Sequence, residues 1–256
     1  MKQLNKQVCI LILVMLIIPV RQVLSAETGS ISDFRILIDV SGSMKKNDPN
    51  NLRVPALRLV LGLLPDNAEA GVWTFSTSVN NLVPHQGVDE AWKKQAKKQS
   101  QKIHSRGLFT NIELALKKAT EAKKNQGDNY NRNIILLSDG LVDVSKTAAV
   151  SQQSRQRIID ELIPQLKEAN IAVHTIALSD TADHELLRAI SLATDGWYEQ
   201  VDSADSLQRV FLHVFEKAAT RDTVPLLDNN FKIDESVSEM TLLVFRREGT
   251  EPTALI

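Results

Sequence analysis

The sequence predicts an α/β protein: a doubly wound, mostly parallel sheet flanked by helices on both faces, with a short β-like C-terminal extension. Three observations predict it. Apolar runs such as Phe34–Val40 (FRILIDV) and Asn133–Ser138 (NIILLS) read as strands covered on both faces. Amphipathic helical patterns separate one such run from the next. Right-handed crossovers between parallel strands then place helices on each side of the sheet. The 256 residues suit one α/β domain plus an addition, or two small domains. Hydrophobic residues at 43% and charged residues at 24% exclude a disordered or collagen-like bulk. With 30 basic and 31 acidic residues there is no basic surplus of the kind nucleic-acid binding requires, so no nucleic-acid partner is expected.

The first segment stands outside this pattern. Lys2 and Lys6 precede an apolar stretch from Val8 to Val20, followed by Arg21 and VLSA, with no acidic residue before Glu27. A charged start, a short apolar run and small residues make residues 1–26 a secretory signal peptide, cleaved after Ala26. The run is shorter than the roughly 20 residues of a membrane span and contains Pro19; an uncleaved anchor is the competing reading. Cys9, the single cysteine, lies inside it, so an internal disulfide or a cysteine-held metal cluster is excluded.

Residues 30–220 then alternate. Phe34–Val40 is the first strand, and Leu52–Leu64 a helix with Pro55 in its first turn, where proline is tolerated. Gly71–Ser76 is a strand and Asn81–Pro84 a short edge strand. Trp92–Ile103 is a polar helix with a thin apolar stripe; Asn111–Lys124 is amphipathic through Ile112, Ala115, Leu116, Ala119 and Ala122. After the strand Asn133–Ser138 comes a helix over Arg155–Ala169, which Pro164 should kink. Ile171–Leu178 is a strand, Asp183–Ala193 a helix capped by Asp183, Gly196–Val201 the last strand and Ala204–Ala219 the last helix. Residues 221–256 read as a linker and one strand, Thr241–Arg246, which cannot bury a core alone. They either dock on the domain or begin a β domain.

Ligands of doubly wound sheets bind beyond the carboxyl ends of the strands. Three polar segments fall there: Asp39-Val40-Ser41-Gly42-Ser43 after the first strand, Asp139-Gly140 after Asn133–Ser138, and Thr110 before the helix starting near Asn111. Together they offer two carboxylates and three hydroxyls. An all-oxygen set selects a hard cation, Mg²⁺ or else Mn²⁺ or Ca²⁺. Alternate residues of an extended turn project the same way, which gives Asp-x-Ser-x-Ser its spacing. Read singly, Asp39 would be a turn residue and the serines loop filler; Asp143 reads as loop surface. The lysines 93, 94, 97, 98 and 102 read as a solvated helix face, and the five histidines lack zinc-ligand spacing.

Asp39, Ser41, Ser43, Thr110 and Asp139, in this order and on these elements, resemble the metal-ion-dependent adhesion site of the von Willebrand factor type A domain, as found in bacterial secreted and envelope proteins. The resemblance covers about residues 32–220. It implies that the serines and the threonine ligate the ion, that the aspartates act largely through water, and that a Glu or Asp of a protein partner completes the shell. It implies a non-enzymatic adhesion module in the periplasm or outside the cell. Membrane association would come through an uncleaved N-terminal segment or a C-terminal region beyond residue 256. The loop Gly107-Leu108-Phe109 is more apolar than the family's usual glycine-rich one. Two other readings compete. One is a structural domain of a larger envelope protein, its metal only stiffening loops. The other is a Mg²⁺-dependent hydrolase, disfavoured because Ser41 stands where an aspartyl-phosphate phosphatase needs its second Asp and no His neighbours Ser41 or Ser43 in sequence.

Overall fold

The computed structural model describes residues 30–121 and 129–218, together with 230, 232, 233 and 235. The predicted signal peptide, Ala122 with the helix end at Lys124, and the tail strand Thr241–Arg246 lie outside the described residues. Six strands form one sheet: β1 (Ile31–Asp39), β2 (Glu69–Phe75), β3 (Val79–Gly87), β4 (Tyr130–Ser138), β5 (Ile171–Leu178) and β6 (Tyr198–Val201). Their spatial order is β3-β2-β1-β4-β5-β6, and β3 alone runs antiparallel. The first strand is central, and the chain winds outward from it first to one side and then to the other. A crevice therefore opens between the ends of β1 and β4, the point where the strand order reverses.

Eight α-helices cover the sheet among the described residues: α1 (Met44–Asn47), α2 (Arg53–Leu63), α3 (Glu90–Ser100), α4 (Ile112–Glu121), α5 (Ala148–Arg157), α6 (Ile163–Glu168), α7 (His184–Ala193) and α8 (Leu207–Ala218). Side chains alternate across β1. Phe34, Ile36 and Ile38 pack with α2, α3 and α8, while Leu37 packs with α4, α6 and α7. Each large side chain so buried contributes about 1.5–3 kcal/mol. No described helix is long and apolar enough to cross a membrane.

Several elements differ in extent or form from the sequence expectation. The edge strand spans Val79–Gly87 rather than Asn81–Pro84; only Val83 is buried along it, so its pattern carries little signal. The helix expected from Arg155 begins at Ala148, because its first ten residues bury only Ser154 and show no apolar stripe. Pro164, expected to kink or locally break that helix, interrupts it locally between α5 and α6. Lacking an N–H and crowding the carbonyl four residues back, it is accommodated by a π turn over Ile158–Leu162, where the N–H of Ile163 reaches the carbonyl of Ile158. The last helix starts as a 3₁₀ turn over Ala204–Ser206 and becomes α-helical at Leu207. The lysine face is also less free than expected: Lys93 pairs with Asp66 at 2.7 Å and Glu90 at 3.2 Å, while Lys94, Lys98 and Lys102 are exposed.

At the amino end of the sheet lies a buried charged cluster. Arg35 Nη2 donates to Asp33 at 2.7 Å, its Nη1 donates to the Ala119 carbonyl at 2.6 Å, and His85 Nε2 meets Asp33 at 2.6 Å. Burial alone would raise the Asp33 pKa, but the bonds from His85 and Arg35 outweigh it and hold the carboxyl below its ordinary value.

Candidate metal centre

Asp39 ends β1 and Asp139 follows β4, so the two carboxylates face one another across the reversal point. Asp39 is fully buried. Its Oδ1 accepts the Ser41 N–H at 2.7 Å and its Oδ2 accepts the Ser138 hydroxyl at 2.6 Å. Ser43 Oγ donates to Asp139 Oδ1 at 2.8 Å and stands 3.0 Å from Ser41 Oγ. A Cβ built on Gly140 would lie 3.4 Å from Thr110 Oγ1 and 3.8 Å from Ser43 Oγ. Asp39, Ser41, Ser43, Thr110 and Asp139, selected from sequence, are thus drawn to one crevice.

Backbone bonds hold the loops that carry them. The Val40 carbonyl accepts from both Arg106 and Gly107, at 3.1 and 3.0 Å, tying the first loop to the one before Thr110. Gly107 sits so close to Ser76 that a Cβ would fall 2.1 Å from the Ser76 Cβ, which no side chain allows. Thr110 and Asp143 exchange backbone bonds at 2.7 and 3.0 Å. The apolar Leu108 and Phe109 therefore do not distort the loop: its path is fixed by Gly107 and by Thr110's backbone. Asp143, half-buried, joins these loops through its backbone and accepts from Ser151 Oγ at 3.3 Å, so it is more than loop surface.

Three residues of the site escaped sequence reading. Asn47 Nδ2 donates to Asp139 Oδ2 at 2.8 Å. It lies four residues after Ser43, on a four-residue helix whose KKN sequence carries no helical periodicity. Ser138 fixes Asp39, a contact that only the strand register brings about. Ser179 has φ 127°, a region costly for a residue with a Cβ, and its hydroxyl donates to the Asp139 carbonyl at 2.9 Å.

The electrostatics favour a cation. Burial pushes the Asp39 pKa up to about 6; the bonds from Ser138 and Ser41 oppose this, while the charge of Asp139 adds to it. Burial likewise raises Asp139, against the bonds from Asn47 and Ser43. Two buried carboxylates that repel each other, beside three hydroxyl oxygens, are a set that a hard divalent ion satisfies. Among the described residues no group of three or more His, Cys, Asp or Glu side chains is arranged to hold a metal, so a cation here depends on the hydroxyls. The donors open into a cavity of about 920 Å³ whose walls include Leu108, Leu141, Lys146 and Arg155, and no imidazole.

Comparison with known proteins matches this chain to the von Willebrand factor type A domain family over residues 33–213. A von Willebrand factor A domain-containing protein of Dictyostelium discoideum is 24% identical over 214 residues; these are 80% of this chain and 20% of that protein. The chain therefore spans about a fifth of the length of that curated relative. Among solved structures, a von Willebrand factor type A protein from Catenulispora acidiphila superposes with TM-score 0.63 at 20% identity, covering 76% of this chain and 44% of its own. Proximal thread matrix protein 1 of the mussel byssus, solved with a zinc-occupied metal-ion-dependent adhesion site, does so with TM-score 0.56 at 19% identity, covering 74% and 48%. At such identities the structural likeness shows a shared fold. With the family match spanning most of the sheet and its helices, this chain belongs to the von Willebrand factor type A domain family.

Proposed function

We propose that this domain is an exported, non-enzymatic module that grips a protein partner through one divalent cation. The observation that carries the reading is the convergence of three hydroxyls and two buried carboxylates at the end of β1 and β4. Ser41, Ser43 and Thr110 would hold Mg²⁺, or Mn²⁺ or Ca²⁺, with Asp39 and Asp139 completing its charge balance through water. Asn47 and Ser138 keep the two carboxylates aimed at the crevice. The cation, when bound, supplies a position that accepts a carboxylate oxygen, and a Glu or Asp of the partner fills it with charge assistance in a partly dry site. The mussel protein's zinc-occupied site supports a divalent ion at the corresponding place. Export rests on the basic start and short apolar run of residues 1–26.

Calorimetric titration of the metal-free protein with Mg²⁺ and Mn²⁺ tests the ion. Binding heat is expected in the wild type and not in Ser41→Ala/Ser43→Ala. Pull-down from an envelope extract, with Mg²⁺ against chelator and with Asp39→Ala as control, tests the partner. If Asp39→Ala binds the same proteins and loses only stability, the metal serves the loops and the adhesion reading fails. N-terminal sequencing of the envelope fraction tests export, and an intact Met1 would exclude cleavage.

A further inference from the structure

Leu108 is 84% exposed and Leu141 is 60% exposed, and both line the cavity that holds the hydroxyls and carboxylates. A single exposed leucine on a surface means little. These two are placed alike: Leu108 lies two residues before Thr110 and Leu141 two residues after Asp139, so each rides on a loop that carries a site oxygen. The loops are pinned by the paired backbone bonds of Thr110 and Asp143 and by the Gly107–Ser76 contact. Both leucines are therefore held out to solvent by fixed backbone, and covering them costs little further ordering.

Beyond them the cavity wall is polar, through Ser145, Ser151 and Gln152, and carries the carboxylates of Asp143, Asp183 and Glu185. Two cations reach it. Arg155 is already committed, to Asp183 at 2.8 Å and Glu185 at 3.0 Å. Lys146 is exposed and makes no ion pair among the described residues. The wall's own carboxylates outnumber these two cations, so the attraction for an acidic occupant comes from a cation held at the hydroxyls.

We propose that this cavity takes an acidic segment of a partner protein in which the metal-bound carboxylate is flanked by a bulky apolar residue, seated against Leu108 and Leu141. The inference rests on the metal-bridged reading above and adds a sequence preference to it: the ion selects for an acid, and the two leucines select its neighbour.

Random peptides displayed on phage, selected on the immobilised protein in Mg²⁺ and eluted with chelator, provide the test. Eluted peptides should carry Asp or Glu next to Leu, Ile, Phe, Trp or Met, well above the frequency in the starting library. A synthetic peptide of the enriched sequence should bind Leu108→Ser/Leu141→Ser about tenfold or more weakly than the wild type. Leu192→Ser is the control, an exposed leucine at the far end of α7, and should bind normally. The double variant should retain the wild-type melting temperature and Mg²⁺ titration, because both side chains project into solvent. Acidic peptides without an apolar neighbour, or unchanged affinity in the double variant, would overturn the proposal and leave the metal-bridged reading standing. If chelator elutes no acidic peptides at all, the metal-bridged reading itself fails and this inference with it.

Discussion

Asn47 illustrates how a site can depend on a residue with no motif to announce it. Its amide fixes one oxygen of Asp139 while Ser43 fixes the other. Asn47→Ala should leave the fold intact and weaken Mg²⁺ binding several-fold in a calorimetric titration, because Asp139 loses one of two restraints on its rotamer. His174 makes a second residue-scale prediction. Its Nδ1 accepts the Trp197 N–H at 3.2 Å and its Nε2 faces Asn133 Oδ1 at 3.1 Å, an environment for neutral imidazole. Burial pushes its pKa down to about 4. Above the ordinary value near 6.5 neither folded nor unfolded chain is charged there, and its contribution to stability is whole. Between pH 6.5 and 4 the unfolded chain takes up a proton that the folded chain resists, so stability falls as the pH drops through that window. By pH of about 4.5 the loss from this group should reach about 2–3 kcal/mol, read from urea midpoints, and His174→Gln should flatten it. The Asp39, Ser41, Ser43, Thr110 and Asp139 set was legible from sequence because each member sits at the edge of a strongly patterned element. Asn47, Ser138 and Ser179 were not, because their roles arise from register and loop path.

Among the elements, α4 has a particular position, since it begins two residues after Thr110. Glu113 in its first turn accepts from Arg157 at 2.9 and 2.7 Å, from Ser154 at 2.6 Å and from Lys117 at 2.6 Å. Burial would raise its pKa, but these bonds from Arg157, Lys117 and Ser154 outweigh it and hold the carboxyl at about 2. The network locks α4 to α5 just ahead of the π turn that Pro164 requires. Glu113→Gln should lower stability by about 1–3 kcal/mol, and a double-mutant cycle with Arg157→Gln should return a measurable, favourable coupling. A cycle with no coupling would show that the pair is only a surface contact. The helices with a clear apolar stripe were readable to within a residue or two, as α7 shows, with Asp183 capping it by accepting the Leu186 N–H. The start of α5 was not, because it lies on the surface with one buried side chain and its pattern resembles a loop.

For the whole molecule, the two core layers are built, among the described residues, from β1 through α8. Phe211, Val214 and Phe215 of α8 complete the layer that α2 begins. We expect a chain ending at Thr220 to melt cooperatively, with a melting temperature within a few degrees of the 256-residue chain by calorimetry. A large drop would show that residues 221–256 pack on the domain. The sheet class and its covering by helices on both faces were legible from the apolar strands, the amphipathic helices between them and the right-handed crossover rule. The spatial order of strands was not, since periodicity does not say which strands are neighbours.

That order bears on how the chain comes to be made. Of the described strands β1 is synthesised first, yet it sits in the middle of the sheet and needs β4 along one edge, with Asp39 and Ser138 separated by 99 residues. At ribosomal speeds the wait is about 5–20 s. Through it, β1 has only β2 for company, and its other edge displays unpaired backbone beside Ile36 and Ile38. Nascent chains halted just short of β4 should accordingly aggregate or be held by chaperones, while chains released beyond α8 should not. Proteolysis of stalled ribosomal complexes across this boundary would reveal the step at which the vulnerable edge is covered.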